Sequence, residues 1–341
     1  MKRIIGWIFL FFVVVITLAA WLLFGSTTAF DEKSRYFIIR EGQTHKEAVL
    51  KILLEEKIVS RTTGLQIIGS FTTVWPKLKM GKYEVKKGQS AFSIARMLRN
   101  GRQAELKLVI NKLRTKADLA KLIGKQFATD SATVMAFLSS NDSLQQLETD
   151  TTRLFTRIIP DTYIFYWNTP LVKMMRKLKD NSEQFWQKNN RLAKAKAKGL
   201  SQTDAYILAS IVEEETNFDS DKYKIASVYL NRLKKEMPLQ ACPTIKYAMQ
   251  DFTITRIYEK YLSNPSPYNT YRRKGLPPGP ICTPSPKTLD IILEAPVTDY
   301  LFFVAKSDFS GYHHFSATYE EHDKYAKEYQ KQLDIYMAHK K

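Results

Sequence analysis

Cysteine, histidine and acidic residues are all scarce in this chain. Only Cys242 and Cys282 occur among 341 residues, with five histidines and 34 acidic residues set against 52 basic ones. Two thiols with no histidine pair beside them do not make a zinc site. His313 and His322 stand nine residues apart with no acidic ligand in register, so no metal is expected there either. The excess of base gives a net charge of +18, which would ordinarily raise nucleic acid as a partner. That reading depends on where the body of the chain resides.

Long apolar runs are also few. The run Ile4 to Phe24 carries no charge over 21 residues, which at 1.5 Å per residue is about 31 Å, the hydrocarbon thickness of a bilayer. A cleaved signal peptide would have a shorter apolar stretch and a small-residue cleavage site, and Ala20-Trp21-Leu22-Leu23-Phe24 does not fit one. A single-pass membrane anchor is therefore expected. Lys2 and Arg3 precede it and Gly25 to Phe30 has no positive charge, so the amino terminus is expected in the cytoplasm and everything after Ser26 outside. In a bacterium with two membranes this means an inner-membrane protein with its bulk in the periplasm. Export removes nucleic acid as a partner, and the lysines between Lys173 and Lys198 read as a solvated helical face. An oxidising compartment would permit Cys242 and Cys282 to pair; two unpaired buried thiols are the alternative.

After a short linker, Tyr36 to Thr44 and Tyr83 to Ser90 each read as a strand, a glycine turn and a Thr or Ser N-cap before a helix. A fainter third copy runs from Leu108-Val109-Ile110 to Thr115 and Leu119. Such units resemble LysM-like modules, which bind N-acetylated glycans. Residues 125–200 read as mostly helical, broken at Pro160-Asp161-Thr162-Tyr163. From Ser201 a helix runs to Glu215, then a capping cluster Asp219-Ser220-Asp221 opens another carrying Ile225, Val228, Tyr229 and Leu233. The stretch from Pro238 to Pro286 is rich in Pro, Tyr, Asn and Gly, and so long an aperiodic segment is usually functional.

The most informative run is Ile207-Leu208-Ala209-Ser210-Ile211-Val212-Glu213-Glu214-Glu215-Thr216. On a helix Glu215 stacks over Ile211, Val212, Leu208 and Ile207, whereas Glu213 shares a face with Ala209, Ser210 and Tyr206, and Glu214 falls between. A carboxyl group among apolar neighbours is costly to ionise and has a raised pKa, as a general acid requires. The alternative is a glutamate at a frayed helix end, reaching water or a lysine; Glu214 is expected to be solvated.

Taken in order, Ala209-Ser210-Ile211-Val212-Glu213-x-Glu215-Thr216, Ala226-Ser227-Val228 with Asn231-Arg232-Leu233, Leu239-Gln240, Tyr268-Asn269-Thr270-Tyr271 and Gly275-Leu276-Pro277-Pro278-Gly279 closely resemble the YceG-like family. The resemblance covers nearly the whole chain. It implies an α+β protein of six parts: a cytoplasmic tail (1–3), a transmembrane helix (4–24), a linker (25–35), a LysM-like glycan-binding region (36–124), a helical connecting region (125–200) and a catalytic domain (201–341). It further implies a lytic transglycosylase that cuts peptidoglycan glycan strands between N-acetylmuramic acid and N-acetylglucosamine, needs no cofactor and works beside a peptidoglycan polymerase.

Within the family pattern the catalytic acid corresponds to Glu215, the residue that the helix face also selects. Glu213 is secondary. Gln240, Tyr268, Asn269, Thr270 and Tyr271 become candidates for binding sugar, while Asp161, His313 and His322 become supporting residues. The chain departs from the family in three places: Cys242 replaces an aspartate, Cys282 replaces a small residue, and Asn111-Lys112 stands where Glu-Gly is usual. The two cysteines flank the cleft motifs, so a disulfide tying those loops is one reading and two unpaired thiols the other. A non-catalytic glycan-binding scaffold, or a hydrolase using Asp219 or Asp251 to activate water, are the competing readings.

Overall fold

The computed structural model describes residues 2–254 and 256–339. It is a mixed α+β structure whose strands, among the described residues, form three two-stranded sheets. The chain divides into two compact units. The first is built on residues up to Lys107 with Gln126–Ala128 and Ile164–Pro170; the second is built on Leu108–Lys125, Thr129–Tyr163 and the residues from Leu171 onward.

The first unit starts with α1 (Lys2–Phe24), a helix long and apolar enough to cross a membrane. Strand β1 (Ser34–Ile39), helices α2 (Lys46–Glu55) and α3 (Thr63–Ser70), strand β2 (Gly81–Lys86) and helix α4 (Ala91–Asn100) follow. β1 and β2 pair antiparallel with Phe37 opposite Tyr83, and their rings stack with centroids 5.5 Å apart. Alternate residues of both strands point into a core shared with Val49, Leu53, Ile94 and Leu98, as period-two burial requires. Ser90 caps α4 as expected, accepting from the Ser93 amide, but the N-cap of α2 falls at His45, one residue after the expected Thr44, and makes no side-chain cap.

Residues 25–35, expected as a linker, are bonded into this unit. The Thr27 amide donates to the Gln89 carbonyl, that of Ala29 to Ile58 and that of Ser60 to Thr27, while Phe30 enters the core. Thr27 is 2% exposed. The run contains no Gly/Pro cluster to mark a turn, and what holds it are backbone pairings to residues 29 to 62 positions away, which composition does not reveal.

Strand β3 (Glu105–Ile110) pairs with β4 (Asp161–Tyr166). Between them lie α5 (Lys116–Gln126), α6 (Ser131–Leu138) and α7 (Asn141–Gln145); α8 (Leu171–Gln187) and α9 (Arg191–Ala197) come next. The rest of the second unit comprises α10 (Gln202–Glu215), α11 (Asp219–Lys234), α12 (Cys242–Met249), α13 (Glu259–Leu262), α14 (Pro286–Leu293), the antiparallel pair β5 (Phe302–Ala305) and β6 (His313–Ser316), and α15 (Tyr319–His339). Two short helices thus interrupt the stretch expected to be aperiodic. Pro243 lies in the first turn of α12, where proline is tolerated, so a helix start reads in the sequence as a turn.

The second unit is organised around α10. Ser201 and Asp204 close a capping box, each side chain accepting from the other's backbone amide, and Ala205 through Val212 are all buried. α10 packs against α11, α12 and α14, with Leu208, Ile211, Ile225, Tyr229, Leu289 and Ile292 in one core. Such a helix is buried on every side, not amphipathic. Arg191, itself buried, makes a bidentate pair with Asp290 at 2.6 and 2.9 Å, fastening α9 to α14. The Lys173 to Lys198 segment is therefore only partly a solvated face. Ser201→Ala is expected to cost about 1 kcal/mol through the lost cap. Leu208→Ala should cost on the order of 2–5 kcal/mol through the cavity it leaves. Both are read from the midpoint of urea unfolding followed by tryptophan fluorescence.

Candidate active site

Three carboxylates end α10, where the helix already presents partial negative charge from its unpaired carbonyls. Each must be neutralised or protonated, and the structure treats the three differently. Glu213 accepts from Lys222 Nζ at 3.0 Å, Ser285 Oγ at 3.1 Å and Thr288 Oγ1. Lys222 is buried, so this is an internal ion pair joining α10 to α11 and the start of α14. Glu214 is not solvated: it accepts from Arg114 Nε at 3.1 Å and Nη2 at 2.9 Å, with Lys112 Nζ at 3.2 Å. Burial works to raise its pKa, but these two cations outweigh that and hold it below the usual carboxylate range.

Among the described residues, Glu215 has no such ion pair. Its Oε1 accepts a 2.5 Å hydrogen bond from the Tyr229 hydroxyl, and Tyr229 is fully buried on α11. Burial pushes the Glu215 carboxyl up to about 7, against the Tyr229 hydrogen bond and the charge of Lys246, which lower it. The Glu214 charge raises it a little further. A group poised there can donate a proton near neutrality and take one back. The helix face singles out the same residue as this raised pKa, but on incomplete grounds. All sides of α10 are apolar, and what separates the three glutamates is which partners the rest of the chain supplies.

Around Glu215 the loops are held by side chains turned inward. Arg232, 6% exposed, donates from Nε to the Leu301 carbonyl at 2.7 Å, and from Nη1 to the Leu239 carbonyl at 2.8 Å and Gln240 Oε1 at 3.2 Å. Gln240 takes a left-handed backbone (φ 54°), its amide donates to the Thr270 carbonyl, and the residue is exposed. Asn269 and Thr270, expected to bind sugar, do not present their polar atoms outward. Asn269 Nδ2 donates to the carbonyls of Leu262 and Asn264, and its Oδ1 accepts from the Tyr271 amide. Thr270 Oγ1 accepts from the Ala241 amide and bonds Thr244 Oγ1. Both are buried, and their chemistry is spent on shaping the loop.

Tyr268 packs on Tyr247 with centroids 4.6 Å apart, close to Gly279, where a side chain would meet the Thr152 carbonyl at 2.3 Å. Tyr271 remains partly exposed, its hydroxyl 3.1 Å from Cys242 Sγ. Desolvation of the Tyr271 hydroxyl and of the Cys242 thiol, whose residue is otherwise exposed, raises the pKa of both, and the charge of Glu215 adds to it, so the two border the acid.

The loop-tying disulfide is not formed: both cysteines are free, Cys242 exposed and Cys282 buried with its thiol toward the Ser210 carbonyl. The departure at Asn111-Lys112 acquires a use. Lys112 joins the clamp on Glu214, and the adjacent Leu113 exchanges backbone and side-chain hydrogen bonds with Thr283.

His313 donates its amide to Asp221 Oδ2 at 2.7 Å, with Nδ1 3.0 Å from the same oxygen. Asp221 is therefore a buried anchor for β6 and not a helix cap. His322 stacks on Phe302 with centroids 5.3 Å apart; burial first, then Arg232, lowers its pKa. Asp161 is exposed and bonds the Thr162 amide. Among the described residues, Glu215 takes its hydrogen bond from Tyr229 and not from any of these three. Sequence reasoning missed Tyr229, Lys246 and Arg232; a tyrosine on an otherwise aliphatic helix face was the available signal for the first. Asn269→Ala is expected to cost about 1–3 kcal/mol, because it strands two loop carbonyls and an amide. Gln240→Ala should be nearly neutral for stability. Thermal unfolding together with proteolysis of the 262–271 loop measures the difference.

A model of the YceG-like family matches residues 37–328. An endolytic murein transglycosylase of Bacillus subtilis (strain 168) is 28% identical over 320 residues, spanning 88% of this chain and 86% of that one. A protein of the same name from Streptococcus pneumoniae serotype 2 is 33% identical over 133 residues, covering 38% of this chain and 24% of its own length. A 2.6 Å crystal structure of a YceG-like protein from Listeria monocytogenes superposes with a TM-score of 0.57 at 26% identity, covering 86% of this chain and 99% of that one. The family pattern takes in α10, its three glutamates and every loop that surrounds them, and this chain belongs to the YceG-like family.

Proposed function

We propose that this protein is a membrane-anchored lytic transglycosylase that cuts peptidoglycan glycan strands internally, with Glu215 as its single acid and base. The observation that carries the reading is the isolation of one carboxyl group. Glu215 is raised to about 7 while Glu213 and Glu214 beside it are committed to Lys222 and to Lys112 with Arg114. The names of the relatives supply the substrate class, murein.

In the proposed reaction, protonated Glu215 gives its proton to the bridging oxygen as the bond from the muramic acid C1 breaks. The resulting carboxylate then takes the proton from that sugar's own 6-hydroxyl as its oxygen bonds to C1. The product is a 1,6-anhydro end, and Glu215 regains its proton. No enzyme-activated water is needed, so the usual glycosidase pair of carboxylates is not required. Tyr229 is a positioning residue: by donating to Oε1 it leaves Oε2 as the oxygen that carries the acidic proton. The hydrolase reading finds less support, since Asp219 is paired with Lys287 and Asp251 with Thr253. A pure scaffold would have no use for a carboxyl group kept so costly to ionise.

The proposal includes α1 as a single-pass anchor with the amino terminus inside and both compact units outside. It also gives the first unit contact with glycan, supported by a polar cleft lined by Lys86, Gln89, Ser93, Arg96, Asn100 and Gln103.

Glu215→Gln should lower glycan cleavage by on the order of 10²–10⁴-fold. The protein should remain folded. Mass spectrometry of digested strands decides the chemistry: anhydro ends support the proposal, reducing ends indicate a hydrolase, and no cleavage by the native chain indicates a scaffold.

Because the working acid is the protonated form, activity should fall as pH rises through about 7. Tyr229→Phe removes a bond that favours ionisation, so this alkaline limb should move to higher pH. Stability follows the same sign. A carboxyl raised in the folded state binds its proton more tightly there, so its contribution is lost between the unfolded value near 4.5 and about 7. At pH 8, Glu215→Gln should therefore be more stable than the native chain, on the order of 1–3 kcal/mol, as measured by urea unfolding.

A further inference from the structure

The end of α1 is embraced by the first unit. Arg61 lays its guanidinium over the Trp21 ring at 3.8 Å, Phe92 meets Phe24 with centroids 5.4 Å apart, and Leu23 packs against the core. Gly64 of α3 approaches so closely that a Cβ there would lie 2.7 Å from the Leu22 carbonyl oxygen. These contacts fall in the last turn of the apolar span. At 1.5 Å per residue, Trp21 lies about 26 Å along the span from Ile4, at the level where a bilayer changes from hydrocarbon to headgroups. Tryptophan and cationic side chains favour that level. Whatever touches Trp21, Leu22 and Phe24 is held at the membrane surface.

The parts of the first unit nearest this junction carry unexplained apolar exposure. Ile67 follows Gly64 by three residues on neighbouring positions of α3, and Phe71 is the residue that caps the end of that helix. Phe71 is 87% exposed, and Ile67, Phe92, Trp21 and Phe24 are exposed as well. Scattered apolar residues are ordinary on a surface, but a group continuous with a membrane helix is not. The strap formed by residues 26–30 removes the slack that would let the unit lift away.

We propose that Ile67, Phe71 and Phe92, with Arg61, form a membrane-seating surface that rests the first unit on the outer lipid leaflet beside the exit of α1. This inference rests on the reading of α1 as an anchor. The occupant is the lipid interface: the patch adjoins the span itself, and aromatic and aliphatic side chains beside a cation match the boundary of headgroups and acyl chains.

The test uses the full chain with Cys242→Ser, reconstituted in vesicles of phosphatidylethanolamine and phosphatidylglycerol. A single nitroxide is placed in turn at Val13→Cys, Phe71→Cys and Glu41→Cys, the last in the exposed turn after β1. Collision with oxygen, which prefers lipid, is compared with collision with a water-soluble nickel chelate. A Phe71 label with a several-fold higher oxygen-to-nickel ratio than the Glu41 label supports the surface. A Phe71 label as aqueous as Glu41 while Val13 reads as lipid overturns it and leaves the anchor intact. An aqueous Val13 label overturns the anchor and the surface together. A Phe71 label shielded from both reagents means that protein covers the patch, which also overturns the proposal.

Discussion

The second unit depends on how three consecutive negative charges are tolerated at the end of a helix that is buried all round. α10 brings Glu213, Glu214 and Glu215 into the unit's interior at the end where the backbone dipole opposes them. Two are neutralised by cations drawn from elsewhere, Lys222 on α11 and the pair Lys112 and Arg114 after β3. The third receives, among the described residues, a tyrosine hydroxyl and the more distant charge of Lys246. The paired glutamates fix the helix end among α11, α14 and the segment after β3. The unpaired one inherits that rigidity without inheriting a counter-charge.

Much of this was legible before any coordinates, and the unread part has a common physical origin. The sequence displays α1, the strand-turn-helix pattern of the first unit and the apolar neighbours of Glu215, because each is expressed within about two dozen consecutive residues. It misreads Glu214, whose partners lie about 100 positions away, and the segment 25–35, which is held by pairings to Ile58, Ser60 and Gln89. Periodicity assigns faces; it does not assign neighbours. The same limit explains Asn269 and Thr270. A polar side chain in a conspicuous motif is equally expected in contact with sugar or in contact with its own loop, and here the carbonyls of Leu262 and Asn264 take it. The thiols follow suit, each having found a closer partner than the other.

Arg232 shows how one residue can serve both stability and the site. It is buried, and its guanidinium joins the Leu239 and Gln240 loop to the Leu301 carbonyl ahead of β5. A lysine could not reproduce this, since a guanidinium offers donors in a fixed planar fork whereas an ammonium is a single point of charge. Gln240, the exposed member of that arrangement, sits where its orientation is fixed from beneath.

The inward-turned Asn269 bears on how tightly a flexible polymer can be held. A loop whose amide and carboxamide groups are already satisfied has little freedom left to lose when a ligand arrives, so its ordering entropy is spent during folding and not during encounter. A sugar strand is itself an ensemble of torsions. For such a ligand, a rigid rim confines the entropic loss to one partner, and selectivity then comes from the contour of the rim more than from the number of hydrogen bonds it offers.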